Sequence, residues 1–141
     1  MLVVDASVAT KWFVVEDLHD EARSLLELDE LLLAPRIIEI EVASAIMARA
    51  RRSEIPQAHA LKLVGHWLAD FVDSTALHLV EDRKLLEKAA RLSAQLDHKL
   101  PDCLYLALAQ EGGAPLVTAD IQQAKKGAGV KGIEVRLLGK T

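Results

Sequence analysis

The sequence predicts an α/β fold built on a parallel sheet with helices on both faces. Short β-branched or leucine runs alternate with longer stretches of helical periodicity from one end of the chain to the other. Strands separated in this way are joined by helical crossovers, which makes them parallel and buries both faces of the sheet. No linker, low-complexity tract or internal repeat interrupts the alternation. Sites in such sheets lie beyond the carboxyl ends of the strands, so the acids that follow strands are the first to consider.

Leu2-Val3-Val4 is the first strand, ended by Asp5, and residues 7–13 fit a short helix. Residues 17–29 place Leu18, Ala22, Leu25 and Leu26 on one helical face. Leu31-Leu32-Leu33 is the second strand, stopped by Pro35. Residues 36–51 align Ile38, Val42, Ala45 and Ile46. Pro56 opens the next helix, where a missing N–H goes unnoticed, and Ala60, Val64, Trp67, Leu68 and Phe71 form its inward face. Ala76-Leu77-His78-Leu79 is a weak third strand. Residues 82–97 present Leu85, Leu86, Ala89, Ala90, Ser93 and Leu96. A compact alanine-rich helix runs from Pro101 to Ala109 and is ended by Gly112-Gly113. Leu116-Val117-Thr118 is the fourth strand, Asp120 to Lys126 a short helix, and Ile133 to Leu137 the last strand.

The length of 141 residues suits one domain spanning 1–141, large enough to bury a core without staples. The single cysteine, Cys103, excludes an internal disulfide and a cysteine-based zinc cluster, which fits a reducing compartment. The start Met1-Leu-Val-Val-Asp5 lacks the basic and cleavable features of a signal peptide, and no apolar run is long enough for a membrane span. The expectation is a soluble, cytoplasmic protein. A formal charge of −4 argues against a general nucleic-acid coat protein. It leaves a nuclease open, because bound metal cancels local charge.

Four carboxylates stand out. Asp5 follows the first strand and Asp120 lies just past the fourth, so both belong to one rim of the sheet. Helix capping explains either one alone. Glu41 lies early in a largely apolar helix, and Asp102 opens another. A helix-margin position accounts for Glu41, and a favourable first-turn acid for Asp102. A carboxylate on an apolar face needs a partner, and a metal ion is one. Glu39 competes with Glu41, but roughly 200° of helix separates them, so only one can face a given site. Glu41 borders Ile38 and Ala45 and is favoured. Four clustered carboxylates repel one another without a cation, and ligands that are all oxygen suit Mg2+ or Mn2+. The histidines at 19, 59, 66, 78 and 98 form no compact zinc pattern, and His98 is expected at the surface of a loop. Arg49, Arg51 and Arg52 end a helix, where the dipole accounts for positive charge about as well as contact with RNA does. Trp12-Phe13 is either a platform for a base or, more in keeping with its surroundings, part of the core or of a dimer contact.

Four stretches carry a resemblance: Val-Val-Asp5-Ala-Ser7, Ala-Pro35-Arg-Ile-Ile-Glu-Ile-Glu41-Val-Ala-Ser-Ala, Leu-Pro-Asp102-Cys-Leu-Tyr-Leu-Ala-Leu-Ala109 and Pro-Leu-Val-Thr118-Ala-Asp120. In this order and spacing the chain resembles the PIN-domain ribonucleases, in particular the toxin subunit of the VapBC toxin–antitoxin type. The resemblance implies a three-layer sandwich with a five-stranded parallel sheet. It also implies Mg2+- or Mn2+-dependent hydrolysis of RNA, a homodimer and a small antitoxin partner. Asp5, Glu41, Asp102 and Asp120 fill the family's acidic positions, as catalytic and metal-binding residues, and Ser7 and Thr118 its hydroxyl positions. Ser44 stands where many members carry Asn, and no further acid follows Asp120 in Ile-Gln-Gln-Ala. Lys11, Arg36 and Lys99 are plausible contacts to RNA phosphates near the rim. The helices expected at 17–29 and 56–72 carry more apolar surface than one thin sheet needs, which supports the homodimer.

Other classes fit less well. A phosphoryl-accepting receiver needs an acidic pair after the first strand and a lysine after the last, where this chain has Ile133-Glu-Val-Arg-Leu-Leu. A haloacid-type phosphatase needs an aspartate at the position of Ser7. A catalytically silent PIN-like interaction domain is the third alternative.

Overall fold

The structure is a computed structural model and describes residues 1–140. Its strands are β1 (Leu2–Val4), β2 (Leu32–Pro35), β3 (His78–Val80), β4 (Leu116–Thr118) and β5 (Val135–Leu137). Its α-helices are α1 (Ala6–Ala9), α2 (His19–Ser24), α3 (Ile38–Arg51), α4 (Gln57–Trp67), α5 (Asp82–Leu96), α6 (Leu100–Gly112) and α7 (Ile121–Ala128). All the strand pairs are parallel, in the order β3-β2-β1-β4-β5. The first strand of the chain is therefore the middle of the sheet. Every residue of β1, β2 and β4 is buried, as strands covered on both faces must be. The result is the expected three-layer α/β sandwich.

Helix α6 explains much of the core. Cys103 to Ala109 are all buried, the mark of a helix apolar all round and enclosed on every side. It packs on β1, β2 and β4, and α5 covers it. On the other elements, α1 and α4 pack on α3, and α7 lies on β4 and β5. Gly127 lets α7 approach closely: a Cβ there would stand 2.7 Å from Val135 Cγ2 and 2.8 Å from Leu106 Cδ2. At the end of α6, Gly113 takes the left-handed conformation, with φ 61°, and closes the helix as its sequence predicts.

Several boundaries differ from the sequence reading. β2 starts at Leu32 and ends on Pro35, so the proline is the strand's last residue. β3 begins two residues later than expected, and β5 is confined to Val135–Leu137. The helix expected at 17–29 is shorter. Leu18 adopts φ 67°, so α2 begins only at His19, and a 3-10 turn takes over at Leu25–Glu27. Leu68 and Leu86 are exposed, not inward. Leu68 lies roughly 100° round the helix from the buried Trp67, outside the buried stripe of α4, and a π-type turn over Leu68–Val72 begins there, with Asp73 N–H reaching back to the Leu68 carbonyl. Leu86 simply falls outside the stripe of Leu85, Ala89 and Leu92 that α5 buries.

Trp12 and Phe13 belong to the interior packing, which overturns the base-platform reading. Trp12 is buried, donates its indole N–H to the Ala22 carbonyl at 2.9 Å and stacks on Phe71 at 5.0 Å. Phe13 meets Trp67 and Phe71 edge-on. Both indole rings thus keep a hydrogen bond, Trp67 donating to the Glu39 carbonyl at 3.0 Å.

Candidate active site

Asp5 and Asp120 do cap helices. Asp5 Oδ1 accepts the backbone N–H of Ser7 at 3.1 Å and of Val8 at 3.4 Å at the start of α1. Asp120 Oδ1 accepts those of Gln122 at 2.9 Å and Gln123 at 3.4 Å at the start of α7. Capping does not exhaust Asp5. The Ser7 hydroxyl also donates to Oδ1, and the Thr118 hydroxyl donates to Oδ2. Ser7 Oγ accepts from Ala119 N–H at 2.9 Å and Thr118 Oγ1 from Asp120 N–H at 3.0 Å. The two hydroxyls thus tie the end of β1 to the end of β4 through one carboxylate. Burial nevertheless dominates the electrostatics of Asp5. It pushes the carboxyl up to about 6 against the lowering effect of these bonds, and the charge of Asp120 adds to the rise.

Glu41 and Asp102 approach from α3 and α6. Glu39 turns away and pairs with Arg36 at 3.4 Å, whereas Glu41 Oε1 accepts the Tyr105 hydroxyl at 2.5 Å. Glu41 is therefore the one of the two that faces the rim. Its carboxyl is raised by burial, then by the charges of Asp102 and Asp82 after the Tyr105 bond has offset part of the rise. Asp102 is raised by burial, with His98 and Lys99 opposing and Asp120 adding. Tyr105 is buried, and burial followed by Glu41, Asp5 and Asp102 drives its phenol far above the usual range, so it stays a donor. The fold thus brings Asp5, Glu41 and Asp102 within reach of one tyrosine and Asp120 within the field of Asp5 and Asp102. As the side chains stand, no three Asp, Glu, His or Cys residues among the described residues converge on one point. The donors of the four carboxylates are all oxygen, the chemistry that suits a hard cation such as Mg2+, which completes its shell with water.

A family model described as "PIN domain" matches residues 2–129. The chain belongs to the PIN domain family. This PIN domain is 28% identical over 125 residues to ribonuclease VapC3 of Pyrobaculum aerophilum, a match covering 89% of the chain and 93% of that relative. Among solved structures it resembles VapC20 of Mycobacterium tuberculosis, described as a sarcin-ricin loop cleaving toxin. That likeness has a TM-score of 0.68 at 16% identity and covers 95% of this chain and 99% of that one. A chain of a toxin–antitoxin complex from Klebsiella pneumoniae aligns with a TM-score of 0.61 at 21% identity, covering 94% and 95% of the two chains. The structural likenesses bear on the fold.

The remaining predicted residues of this PIN domain fall in different places. Ser44 is exposed and takes part in no side-chain hydrogen bond among the described residues, so it is not brought to the carboxylates. Arg36 is exposed and committed to Glu81 at 2.9 Å as well as to Glu39. Lys99 stands at the N-terminus of α6 beside Asp102. Lys11 lies in a cleft of about 360 Å3 bordered by Ser7, Glu41, Ala45, Arg49 and Ala119. It reaches Glu16 at 3.2 Å and the Asp17 carbonyl at 2.8 Å.

Three side chains at the site went unassigned in the sequence or were misplaced. Tyr105 lies inside the Asp102 motif, but nothing in its spacing marks it as Glu41's partner. Gln123 is 1% exposed and donates from Nε2 to the Asp102 carbonyl at 2.9 Å. Its position three residues after Asp120 is that of a capping box; Thr118 serves Asp120 N–H instead, which frees Gln123 to point inward. His98 is not at the surface as expected. Its ring is nearly buried, with Nε2 2.6 Å from Gln123 Oε1 and 3.7 Å from Asp102 Oδ2. Among the described residues no helix is long and apolar enough to cross a membrane.

Proposed function

We propose that this PIN domain is a Mg2+- or Mn2+-dependent endoribonuclease and the toxin of a type II toxin–antitoxin pair. The observation that carries the reading is the placing of Asp5, Glu41, Asp102 and Asp120 at one end of the sheet, each near enough to feel another's charge, with three of the four carboxyls held above their usual range. Such a group of acids is costly unless a cation joins it. The ribonuclease name of the Pyrobaculum relative and the toxin descriptions of the solved structures supply the substrate class and the biological setting.

In this reading Asp5, Glu41 and Asp102 hold the ion most directly, and Asp120 serves a second ion or positions water. The ion would supply Lewis acidity toward a phosphate oxygen and a nucleophilic water at neutral pH. The protein's part is orientation. Ser7 and Thr118 fix both oxygens of Asp5, Tyr105 fixes one oxygen of Glu41, and Gln123 braces the first turn of α6 from below. Lys11 and Lys99 are the better-placed candidates for RNA contact, since Arg36 is spent on two carboxylates. A small antitoxin that inserts a basic side chain into the acidic rim would switch the site off. A homodimer would set two such rims side by side.

The test compares purified wild type with Asp5→Asn on total RNA in Mg2+, and expression of each alone or with a cognate antitoxin. The expected result is cleavage and growth arrest that need Asp5, with arrest relieved by the antitoxin. Equal cleavage by Asp5→Asn would sink the mechanism. Harmless expression of an active wild type would sink the toxin role. The receiver-like alternative loses ground to the strand order β3-β2-β1-β4-β5, since receivers follow 2-1-3-4-5. The silent interaction domain draws on the lack of a ready three-ligand cluster; calorimetry finding no binding at millimolar Mg2+ would favour it.

A further inference from the structure

The cleft beside Glu41 and Ser7 has a cationic wall. Lys11 Nζ lies 3.2 Å from Glu16 Oε1, and Arg49 Nη2 lies 2.7 Å from Glu16 Oε2. One carboxylate therefore holds two cations, one from the turn after α1 and one from the last turn of α3. The three side chains are only 13%, 28% and 18% exposed for Lys11, Glu16 and Arg49, unlike ordinary surface pairs. Burial alone would raise the Glu16 carboxyl, but Arg49 and Lys11 together hold it below its usual range. Two basic side chains against one carboxylate give the trio a formal charge of one positive unit. Its donors are not exhausted. Arg49 spends one N–H on Glu16 and one on the Ala45 carbonyl, leaving most of the guanidinium fork. Lys11 spends two, on Glu16 and the Asp17 carbonyl.

We propose that Lys11 and Arg49, positioned by Glu16, form a phosphate-binding subsite that takes an RNA backbone phosphate next to the one being cleaved. The inference rests on the ribonuclease reading and adds to it the residues that receive the chain beyond the scissile bond. The lining of the cleft is the reason for the choice: Ser7 and Glu41 face it from the acidic side, and Lys11 and Arg49 are the cations that border it. A polyanion entering this cleft meets fixed positive charge where it would otherwise meet only carboxylates. Arg49 also suits the task chemically, because a guanidinium can grip two phosphate oxygens at once. A purely structural trio would staple residues 11–16 to α3 and leave RNA binding untouched.

The experiment is a salt series of RNA binding, read by fluorescence anisotropy with a short labelled single-stranded RNA. The full chain carries Asp5→Asn to prevent cleavage, and EDTA removes metal so that the cationic wall is read alone. Added Arg49→Gln and, separately, Lys11→Gln are expected to weaken binding about 5- to 10-fold at low salt. Each should make the log–log salt slope shallower by about 0.7, the share of one phosphate contact on a single strand. Arg49→Lys should keep the slope and lose affinity. Lys11→Gln leaves the Glu16–Arg49 pair in place, so it decides the matter even where Arg49→Gln unfolds. Unchanged slopes in folded variants overturn the subsite while leaving the ribonuclease reading intact. A parent protein that binds no RNA, together with a wild type that cleaves none, overturns both.

Discussion

Asp5 shows how a single carboxylate can be at once well bonded and poorly solvated. Its four hydrogen-bond donors do not compensate for burial, and its carboxyl sits at about 6 against an ordinary 3.8. An acid whose folded-state pKa is raised binds its proton more tightly in the folded protein. Folding is therefore favoured below about pH 4, and that advantage is lost as pH rises through 6. In EDTA at pH 7.5, Asp5→Asn should be more stable than wild type by on the order of 2 kcal/mol, and the gap should close at about pH 3.5. Urea unfolding at the two pH values measures it. A variant less stable at both would mean that the Ser7 and Thr118 bonds outweigh burial. Tyr105 offers a second test. Tyr105→Phe removes the one donor that holds Glu41 Oε1, and loss of such a supporting bond costs about 10-fold in metal affinity. Calorimetric titration with Mg2+ reads this directly, and unchanged affinity would reduce Tyr105 to a packing residue.

At the scale of elements, the buried pieces were the legible ones. The strands β1 and β4 and the all-apolar run of α6 appear where the sequence puts them, because burial on every side leaves a continuous hydrophobic signature. The carboxylates that follow those strands were legible for the same reason. What escaped depended on phase and on side-chain reach. A π-type turn followed Trp67, and a left-handed Leu18 delayed α2; neither leaves a periodic trace. The Glu16–Arg49 tie joins residues far apart in the chain, and no local pattern encodes a pairing across 33 positions. The seat of α7 was equally invisible. Gly127→Ala should gain up to about 1 kcal/mol of helix propensity and lose more, about 1–3 kcal/mol, to overpacking against Val135 and the enclosed Leu106. The expected net effect is a fall in Tm; a rise would mean that α7 can slide.

For the molecule as a whole, metal and fold are coupled through the same rim in the proposed reading. An ion that binds only the folded state stabilises it by mass action, by roughly 3 kcal/mol at a hundredfold excess over Kd. Millimolar Mg2+ should therefore raise the Tm of wild type by several degrees and leave Asp5→Asn unmoved. Equal shifts in the two proteins would point to a site elsewhere. The strand order carries a consequence in time. β1 lies in the middle of the sheet, and its neighbour β4 follows it in the chain only after β2 and β3. The bond from Thr118 to Asp5 closes a loop across 113 positions. At the usual pace of translation, on the order of 10 s separates the synthesis of the two residues. Until then Asp5 has no wall opposite it. A growing chain still threaded through the ribosome thus carries Asp5 exposed and its site unbuilt, and whatever the finished rim does must wait until β4 has been made and paired.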